Sequence, residues 1–256
     1  MNNSKVNIKV VTYNLKCDSE TGFKSRLSLA VDRMEHEKPD IIGFQEALPH
    51  MQRMLEESLN EYAFVGFGRD SDFGGESNCV AYRRDIYRLF GYNQFWLSPT
   101  PHIPGTRYEG QSSCPRICTS LILKHIDCIS PFRVYNTHLD HVSDNARILG
   151  MAQILQQIKN DNDNWNLNFI LTGDMNAQPS SQPITDALAF SAYPLKDATV
   201  NVKNTFHDFG KLSHDCKIDY IFTDCAMEHS IANIWDDYID GIYLSDHYPV
   251  SVDLKF

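Results

Sequence analysis

The chain has 256 residues, of which 42% are hydrophobic, and its formal net charge is -10 at pH 7. This composition is sufficient for a large core, and the length allows one large domain or two small ones. The negative charge and the lack of a basic run argue against a protein whose main task is to bind a long polyanion. Seven cysteines, an odd number at irregular spacing, indicate free thiols in a reducing compartment.

The predicted elements alternate between strands and helices at both ends of the chain, with a run of strands between them. Short β-branched or aromatic segments predict strands, and longer segments with apolar residues three or four apart predict amphipathic helices. We predict helices at 24–37, 49–59, 144–159 and 183–190, and strands at 8–12, 41–44, 63–67, 78–82, 87–97, 118–126, 132–139, 169–172, 217–222, 230–235 and 250–256. Consecutive strands without a helix between them predict antiparallel pairing. The expected fold class is α/β or α+β, with two mixed sheets packed together and helices outside.

Two long loops are predicted: 66–77, which is rich in glycine, serine and aspartate, and 98–115, which is rich in proline. Loops of this length often shape substrate access. We find no apolar segment long enough to span a membrane and none of signal-peptide type. We therefore expect a cytoplasmic protein without a membrane partner.

Short polar motifs stand where apolar runs stop. They are Thr12-Tyr13-Asn14, Gln45-Glu46, Asn136-Thr137-His138, Gly173-Asp174-Met175-Asn176, Ile218-Asp219 and Ser245-Asp246-His247. If the strands before them lie side by side, their carboxyl ends deliver these side chains to one rim, where ligands bind in α/β sheets. A single site assembled from Asn14 to His247 requires residues 1–256 to fold as a single domain.

The side chains at this rim include the ligands of a hard cation. Glu46 and Asp246 with Asn14 offer only oxygen atoms, which suits Mg²⁺, with Mn²⁺ as the alternative. Taken alone, Glu46 is equally well explained as a solvated strand end. The pair Cys114 and Cys118 suggests zinc, but no second pair at metal spacing accompanies it.

Two further pairs have the composition of acid and base groups. Asp174 and Asn176 could hold and orient a water, although the same spacing is typical of a turn. Asp219 could pair with His247, fix its tautomer and stabilise its charged form beside a phosphoryl group. An isolated histidine is more often structural, and this alternative applies to His138.

Together, the motifs resemble those of the endonuclease/exonuclease/phosphatase superfamily of DNase I-like phosphoesterases, over essentially the whole chain. The motifs stand in the superfamily's order as Thr12-Tyr13-Asn14-Leu15, Gln45-Glu46, Pro115-Arg116, Asn136-Thr137-His138-Leu139, Gly173-Asp174-Met175-Asn176, Ile218-Asp219-Tyr220-Ile221 and Ser245-Asp246-His247. The resemblance implies a four-layered α/β sandwich of two mixed β-sheets flanked by helices. It also favours a site over a turn at Asp174 and Asn176.

The resemblance implies a role for each matched residue. The implied metal ligands are Glu46, Asn14 and Asp246, the implied catalytic residues are Asp174, Asn176, His138, His247 and Asp219, and the implied substrate-binding residue is Arg116. Asp174 would orient or deprotonate the attacking water, and Arg116 would add a fixed positive charge. The motifs leave open whether Asp174 or His247 is the general base.

The core motifs of this superfamily do not choose the substrate, because its members include nucleases, lipid phosphatases and sugar phosphatases. The stretches 95–101 and 114–119 look like a compact bacterial branch with which maltose 6'-phosphate phosphatase activity is associated. We therefore expect a Mg²⁺-dependent phosphomonoesterase acting on a small phosphorylated metabolite, a sugar phosphate such as maltose 6'-phosphate. The alternatives are a nuclease or other phosphodiesterase with the same core, and a non-catalytic binding protein.

Nucleic acid is a less favoured partner than a small phosphorylated substrate, and the sequence indicates no obligate protein partner. Aromatic side chains support a sugar substrate weakly, since core packing is an equal alternative for each of them. The candidates for stacking on a sugar ring are Trp96, Tyr108, Phe73 and Phe206.

Overall fold

The computed structural model describes residues 6–128 and 130–255. Within that part of the chain, the helices are α1 (Glu20–Glu37), α2 (Pro49–Ser58), α3 (Asp144–Asn164) and α4 (Gln182–Leu188). The strands are β1 (Asn7–Asn14), β2 (Ile41–Gln45), β3 (Tyr62–Val65), β4 (Val80–Arg83), β5 (Tyr87–Trp96), β6 (Ile117–His125), β7 (Phe132–His138), β8 (Phe169–Asp174), β9 (Leu195–Asp197), β10 (Asp219–Asp224), β11 (Glu228–His229), β12 (Asn233–Ile234), β13 (Tyr238–Ile239), β14 (Ile242–Tyr243) and β15 (Val250–Lys255).

Two mixed sheets form the centre of the fold. The first follows the order β11-β15-β1-β2-β4-β3, with β12 also paired to β15, and the second follows the order β5-β6-β7-β8-β10-β9. The pairs β1–β2 and β7–β8 are parallel, whereas the consecutive strands β3–β4, β5–β6 and β6–β7 are antiparallel. The predicted fold class is confirmed, and so is the antiparallel pairing of these consecutive strands. The same prediction is wrong for β4 and β5, which lie in different sheets.

Alternating side chains of the central strands explain the four layers. In β1, Val10 packs in the core between the sheets, whereas Val11 packs beneath α1 and α2. In β8, Ile170 faces the same central core and Leu171 packs against α3 and α4. Because both faces of these strands are buried at their centres, apolar residues follow one another there, as in Val10-Val11 and Ile170-Leu171, instead of alternating with polar ones.

Two predictions of element bounds are corrected. Helix α1 begins at Glu20 rather than at residue 24, because the side chain of Ser19 caps it by accepting a hydrogen bond from the Gly22 amide. The single strand predicted at 230–235 is wrong, since only β11 and β12 pair with β15 in this region. Between them, the Asn201 side chain exchanges two hydrogen bonds with the Ala232 backbone and interrupts the ladder. The predicted strand 250–256 is β15, and its last residue lies outside the described residues.

A buried polar network joins the two sheets directly beneath the rim. The Gln45 amide donates to Asn136 Oδ1 at 2.7 Å, and the Thr172 hydroxyl donates to the same oxygen at 3.0 Å. The Asn136 amide in turn donates to the carbonyl of Phe44 at 2.7 Å. Since an unpaired buried polar group costs ~1–3 kcal/mol, this paired network fixes the sheets in one relative position.

No helix among the described residues has the length and apolar character needed to cross a membrane.

Candidate active site

Six elements bring polar side chains to one rim of the sandwich. Strands β1, β2, β7 and β8 deliver theirs at their carboxyl ends, as the sequence predicts. Strand β10 runs antiparallel to β8, so its first residue, Asp219, lies opposite Asp174. Strand β15 runs antiparallel to β1, so the residues just before it, Asp246 and His247, reach the same rim. We call these side chains the strand-end group: Asn14, Glu46, His138, Asp174, Asn176, Asp219, Asp246 and His247.

Asn14 is the link between two carboxylates of the strand-end group. Its amide nitrogen lies 3.0 Å from Glu46 Oε1 and 2.9 Å from Asp174 Oδ2. Glu46 Oε2 accepts a second hydrogen bond from the backbone amide of Cys17 at 2.8 Å. Burial alone would raise the pKa of Glu46, but these hydrogen bonds lower it below its usual range and keep the carboxylate charged. Glu46 also has a φ of 58°, a left-handed conformation uncommon for a non-glycine residue and a recurrent feature of functional sites.

Asp174 and Asn176 form a tight exit from β8 that aims both side chains at the rim. Gly173 precedes them with a φ of 156°, and a Cβ atom there would lie 2.2 Å from the Thr137 carbonyl oxygen, so only glycine fits. The Asn176 backbone amide donates to Asp174 Oδ1 at 2.8 Å, and its side-chain amide donates to the Leu139 carbonyl at 3.0 Å. The two interpretations of this motif, a turn or part of a site, are therefore compatible, because the turn itself directs both side chains to the rim.

His138 lies beside this exit as a neutral donor. Asn176 Nδ2 is 2.9 Å from His138 Nε2, which accepts the hydrogen bond and leaves the proton on Nδ1. Within the described residues, that Nδ1 is buried and has no hydrogen-bond partner. Burial and the nearby positive charge of Arg116 lower the pKa of His138 well below its usual value. The nitrogen near Asp174, 3.5 Å from Oδ2, is therefore the unprotonated Nε2, and the N–H whose bonding capacity is unused is on Nδ1.

His247 forms a pair with Asp219, as the sequence predicts. Nδ1 of His247 lies 2.9 Å from Asp219 Oδ2, and Nε2 lies 3.8 Å from Asp174 Oδ2. Burial would lower the pKa of His247, but the Asp219 carboxylate raises it to about 10 and keeps the ring charged. Burial and the negative charge of Asp219 raise the pKa of Asp174. The arrangement places a fixed imidazolium next to a carboxyl group that binds a proton more readily than usual.

Two groups of described side chains have ligand atoms close enough to share a metal ion. Glu46, His138 and Asp174 form one, and Asp174, Asp219 and His247 form the other, with ligand atoms within 4.8 Å of one another in each. The first group, with its two carboxylates, fits a hard divalent cation, and Asn14 is in contact with both of them. Asp246 belongs to neither group. Its Oδ2 lies 3.6 Å from the ammonium of Lys16, a residue that the sequence analysis does not single out.

A second set of side chains, carried by three loops, borders the strand-end group. We call it the loop wall: Arg69, Glu76, Ser112, Arg116, Asp140 and His141. Arg69 forms a bidentate pair with Glu76, with N–O distances of 2.7 and 2.8 Å. Arg116, which the resemblance assigns to substrate binding, is buried and donates from Nη2 to His141 Nδ1 at 2.9 Å. Ser112 donates from its hydroxyl and its backbone amide to Asp140 and thereby joins loop 98–115 to the loop after β7.

The aromatic candidates separate into buried and accessible residues. Trp96 is buried and donates its indole N–H to the Arg69 carbonyl, and Tyr108 donates its hydroxyl to Gln153. Phe206 is only partly buried, with its ring 4.9 Å from that of His247, and Phe73 is exposed at the tip of loop 66–77. Tyr108 is partly buried like Phe206, so Phe73, Phe206 and Tyr108 keep accessible surface and Trp96 does not.

Among the loop-wall residues, the sequence analysis identifies only Arg116 as part of the site. Arg69 and Glu76 lie seven residues apart in a loop without regular secondary structure. Their pairing depends on the conformation of the loop, which the sequence does not reveal. His141 carries one usable signal, which is its position two residues after the motif that ends at Leu139. That position alone does not distinguish a site residue from an ordinary surface histidine, because histidines are common on protein surfaces.

Comparisons with known proteins agree with this geometry. A family model described as the endonuclease/exonuclease/phosphatase family matches residues 11–247. The crystal structure of an endonuclease/exonuclease/phosphatase from Bacteroides vulgatus superposes with a TM-score of 0.90 at 28% identity, covering 97% of this chain and 98% of that one. A mannosyl-6-phosphatase from Bacteroides thetaiotaomicron superposes with a TM-score of 0.86 at 26% identity, covering 97% of this chain and 100% of that one.

A curated relative is an uncharacterised protein of Acanthamoeba polyphaga mimivirus, 24% identical over 274 residues, with coverage of 96% of this chain and 99% of the relative. The DNase I-like fold implied by the motifs is confirmed by the superpositions. Since the family model spans nearly the whole rim, from β1 to His247, the chain belongs to the endonuclease/exonuclease/phosphatase family, whose members hydrolyse phosphoesters.

Proposed function

We propose that the protein is a Mg²⁺-dependent phosphomonoesterase acting on a small phosphorylated metabolite, a sugar phosphate such as maltose 6'-phosphate. The observation that carries the proposal is the contact of Asn14 with both Glu46 and Asp174, next to the charged pair of His247 and Asp219. This arrangement combines cation ligands, a base and a fixed positive charge within one small volume. The likeness to a Bacteroides mannosyl-6-phosphatase supports a sugar phosphate as substrate.

The cation would be held by Glu46, Asn14 and Asp246, with Mn²⁺ as the alternative to Mg²⁺. When bound, it would supply positive charge to phosphoryl oxygens. Glu46 is ready for this role, because its hydrogen bonds from Asn14 and Cys17 keep it charged and leave further lone pairs on both oxygens. Asp246 is proposed as a ligand from the sequence motif alone, because neither group of candidate metal ligands among the described residues contains it.

The protein's own groups would carry the proton and orient the water. Asp174 would accept the proton of the attacking water, because Asp219 already holds His247 in its charged form and leaves it no free lone pair. Asn176 would hold that water or a phosphoryl oxygen. His138 would donate its unused Nδ1–H, and His247 its Nε2–H, to oxygens that gain negative charge.

The leaving group would lie toward the loops. The aromatic candidates with accessible surface for a sugar ring are Phe206, whose ring lies beside His247, the partly buried Tyr108 and the exposed Phe73. The net charge of -10 supports a small substrate over nucleic acid. No partner beyond this substrate is proposed. Seven free cysteines support a cytoplasmic location.

Hydrolysis of defined substrates tests the proposal. Purified protein with Mg²⁺ should release phosphate from p-nitrophenyl phosphate and from maltose 6'-phosphate or other hexose 6-phosphates. It should leave plasmid DNA, oligonucleotides and bis(p-nitrophenyl) phosphate largely intact. Efficient cleavage of diesters with no phosphate release from monoesters would establish the nuclease alternative. Phosphate binding without any turnover under Mg²⁺ or Mn²⁺ would establish a binding protein.

A further inference from the structure

His141 is a loop-wall histidine to which the family resemblance assigns no role. Its Nδ1 lies 2.9 Å from Arg116 Nη2, and a guanidinium can only donate hydrogen bonds. The contact therefore fixes His141 as the tautomer with its lone pair on Nδ1 and its proton on Nε2. No described residue accepts a hydrogen bond from that Nε2, and the side chain is exposed.

The backbone of His141 is held rigidly on both sides. Asp140 Oδ1 accepts from the amides of Val142 at 3.1 Å and Ser143 at 2.7 Å, which closes a tight turn around His141. The guanidinium of Arg147 donates to the Asp140 carbonyl at 2.7 Å. The backbone position from which the His141 side chain extends is thus fixed, unlike that of a histidine on a mobile surface loop.

Arg116 is enclosed and acts on its surroundings mainly through His141. Its side chain is 5% exposed, and its Nε and Nη1 atoms are buried without a partner in the described part of the chain. The nearest carboxylate, Asp140, is 3.9 Å from Nε, too far for a hydrogen bond. Burial and the like charge of Arg69 lower the pKa of Arg116. A buried guanidinium paired this poorly is costly, which indicates that an anion completes the arrangement.

The backbone that carries His141 borders the strand-end group. His141 follows His138 by three residues, and the Leu139 carbonyl between them accepts a hydrogen bond from the Asn176 side chain at 3.0 Å. His141 therefore lies next to the strand-end group as well as in contact with the buried Arg116.

We propose that His141 is a substrate-binding residue that donates Nε2–H to a terminal phosphoryl oxygen, and that Arg116 is the positioning residue that fixes its tautomer and polarises its N–H. The inference rests on the proposed function and deepens it. A polarised N–H prefers an anionic oxygen, and a phosphate monoester has one more terminal anionic oxygen than a diester. His141 then favours monoesters over diesters at a site whose central residues serve both reactions.

The binding of inorganic phosphate tests the contact directly. Isothermal titration of the Mg²⁺-loaded protein with phosphate should show that His141→Ala and His141→Asn each weaken binding by roughly 10- to 100-fold, the range for a hydrogen bond to a charged group. His141→Asn retains an acceptor for Arg116 but no donor at the Nε2 position. His141→Gln places an amide N–H near that position and should recover most of the affinity. The control, His36→Ala, changes an exposed histidine near the end of α1 away from the rim and should match the wild type.

Measurements of turnover distinguish a failure of this inference from a failure of the proposed function. His141→Ala should lower kcat/KM for p-nitrophenyl phosphate by roughly 10- to 100-fold, mostly through KM, and change that for bis(p-nitrophenyl) phosphate by less than about threefold. If the wild type hydrolyses monoesters and His141→Ala binds phosphate equally well, the inference is wrong and the function stands. If the wild type hydrolyses no monoester, the function is wrong, and the phosphate titration still decides the role of His141.

The tautomer of His141 tests the role of Arg116 without any activity measurement. In the wild type, ¹⁵N NMR should show His141 with an unprotonated Nδ1 and a protonated Nε2 at neutral pH. Arg116→Met should return the ring to a mixture of tautomers and weaken phosphate binding to the level of His141→Ala. An unchanged tautomer in Arg116→Met, or a mixed tautomer in the wild type, would overturn the positioning role.

Discussion

The strand-end group and the loop wall border the same site but are supported differently. Asn14, Glu46 and Asp174 follow strands whose registers are fixed by continuous ladders and by the polar network at Gln45 and Asn136. The loop wall depends on side-chain pairs between loops, such as Arg69 with Glu76 and Ser112 with Asp140. If the proposed function holds, the comparison teaches that the groups of the reaction are attached to the core strands, whereas the groups that bind and select the substrate sit on loops.

This division makes a kinetic prediction. Changes in the strand-end group should lower kcat or metal affinity with any phosphoester, because they remove parts of the reaction itself. Changes in the loop wall should act mainly on KM and on substrate choice. The predictions below test this contrast, beginning with the largest expected effect.

Asp174→Asn should lower kcat by roughly 10²- to 10⁴-fold, the range for loss of a general base. The amide keeps the size of the side chain, and its oxygen can still accept from one of the two donors, Asn14 and Asn176, that the carboxylate pairs with, so the far-ultraviolet circular dichroism spectrum should change little. The control, Asp186→Asn, alters an exposed carboxylate on α4 and should retain full activity. A loss smaller than about tenfold in steady-state assays with Mg²⁺ would remove Asp174 from the role of base.

Glu46→Gln should weaken metal activation by about 10-fold or more, because a charged oxygen ligand is replaced by a neutral one. The Mg²⁺ concentration that gives half-maximal activity should rise, and saturating Mg²⁺ or Mn²⁺ should restore part of the rate. Complete removal of divalent metal with a chelator should abolish activity in the wild type, and added Mg²⁺ should restore it. Activity that survives chelation would contradict the assignment of Glu46 as a ligand.

Asp219→Asn should change the charge state of His247. In the metal-free wild type, the pKa of His247 is raised to about 10 by Asp219, so ¹H–¹⁵N NMR should show a protonated ring at pH 8. The raised pKa stabilises the folded protein below about pH 6.5, the ordinary histidine value, and this contribution is lost as the pH rises toward 10. In Asp219→Asn, the ring should be neutral at pH 8 and the melting temperature should fall less between pH 7 and pH 10. An unchanged titration of His247 in this variant would contradict the pair.

The sequence predicts most of the strand-end group because Asn14, Glu46, His138, Asp174 and Asn176 follow strand signals, and the carboxyl ends of neighbouring parallel strands meet at one edge. Asp219 and His247 are the harder cases, since they reach the rim only because β10 and β15 run antiparallel to their neighbours. Apart from Arg116, the loop wall is missing from the prediction for a physical reason. Arg69 and Glu76 pair across an irregular loop, and His141 gains its fixed tautomer from Arg116, which is distant in sequence. The early start of α1 at Ser19 was predictable from its capping residue, whereas the interruption at Ala232 depends on Asn201, thirty-one positions away.

Arg69→Met should have the smallest of these effects and gives the sharpest contrast with Asp174→Asn. The change leaves the Glu76 carboxylate without its partner, and burial already raises the pKa of Glu76. We expect KM for a phosphate monoester to rise by about 3- to 10-fold while kcat changes by less than about threefold, because a positive charge near the substrate is lost and the reacting groups are intact. The double variant Arg69→Met/Glu76→Gln removes the unpaired carboxylate and should recover part of the loss, since the two residues are coupled. Steady-state kinetics on one sugar phosphate suffices for the measurement. If Arg69→Met instead lowered kcat as strongly as Asp174→Asn, the loop wall would take part in the reaction step, and the separation between reaction groups on strands and substrate groups on loops would fail.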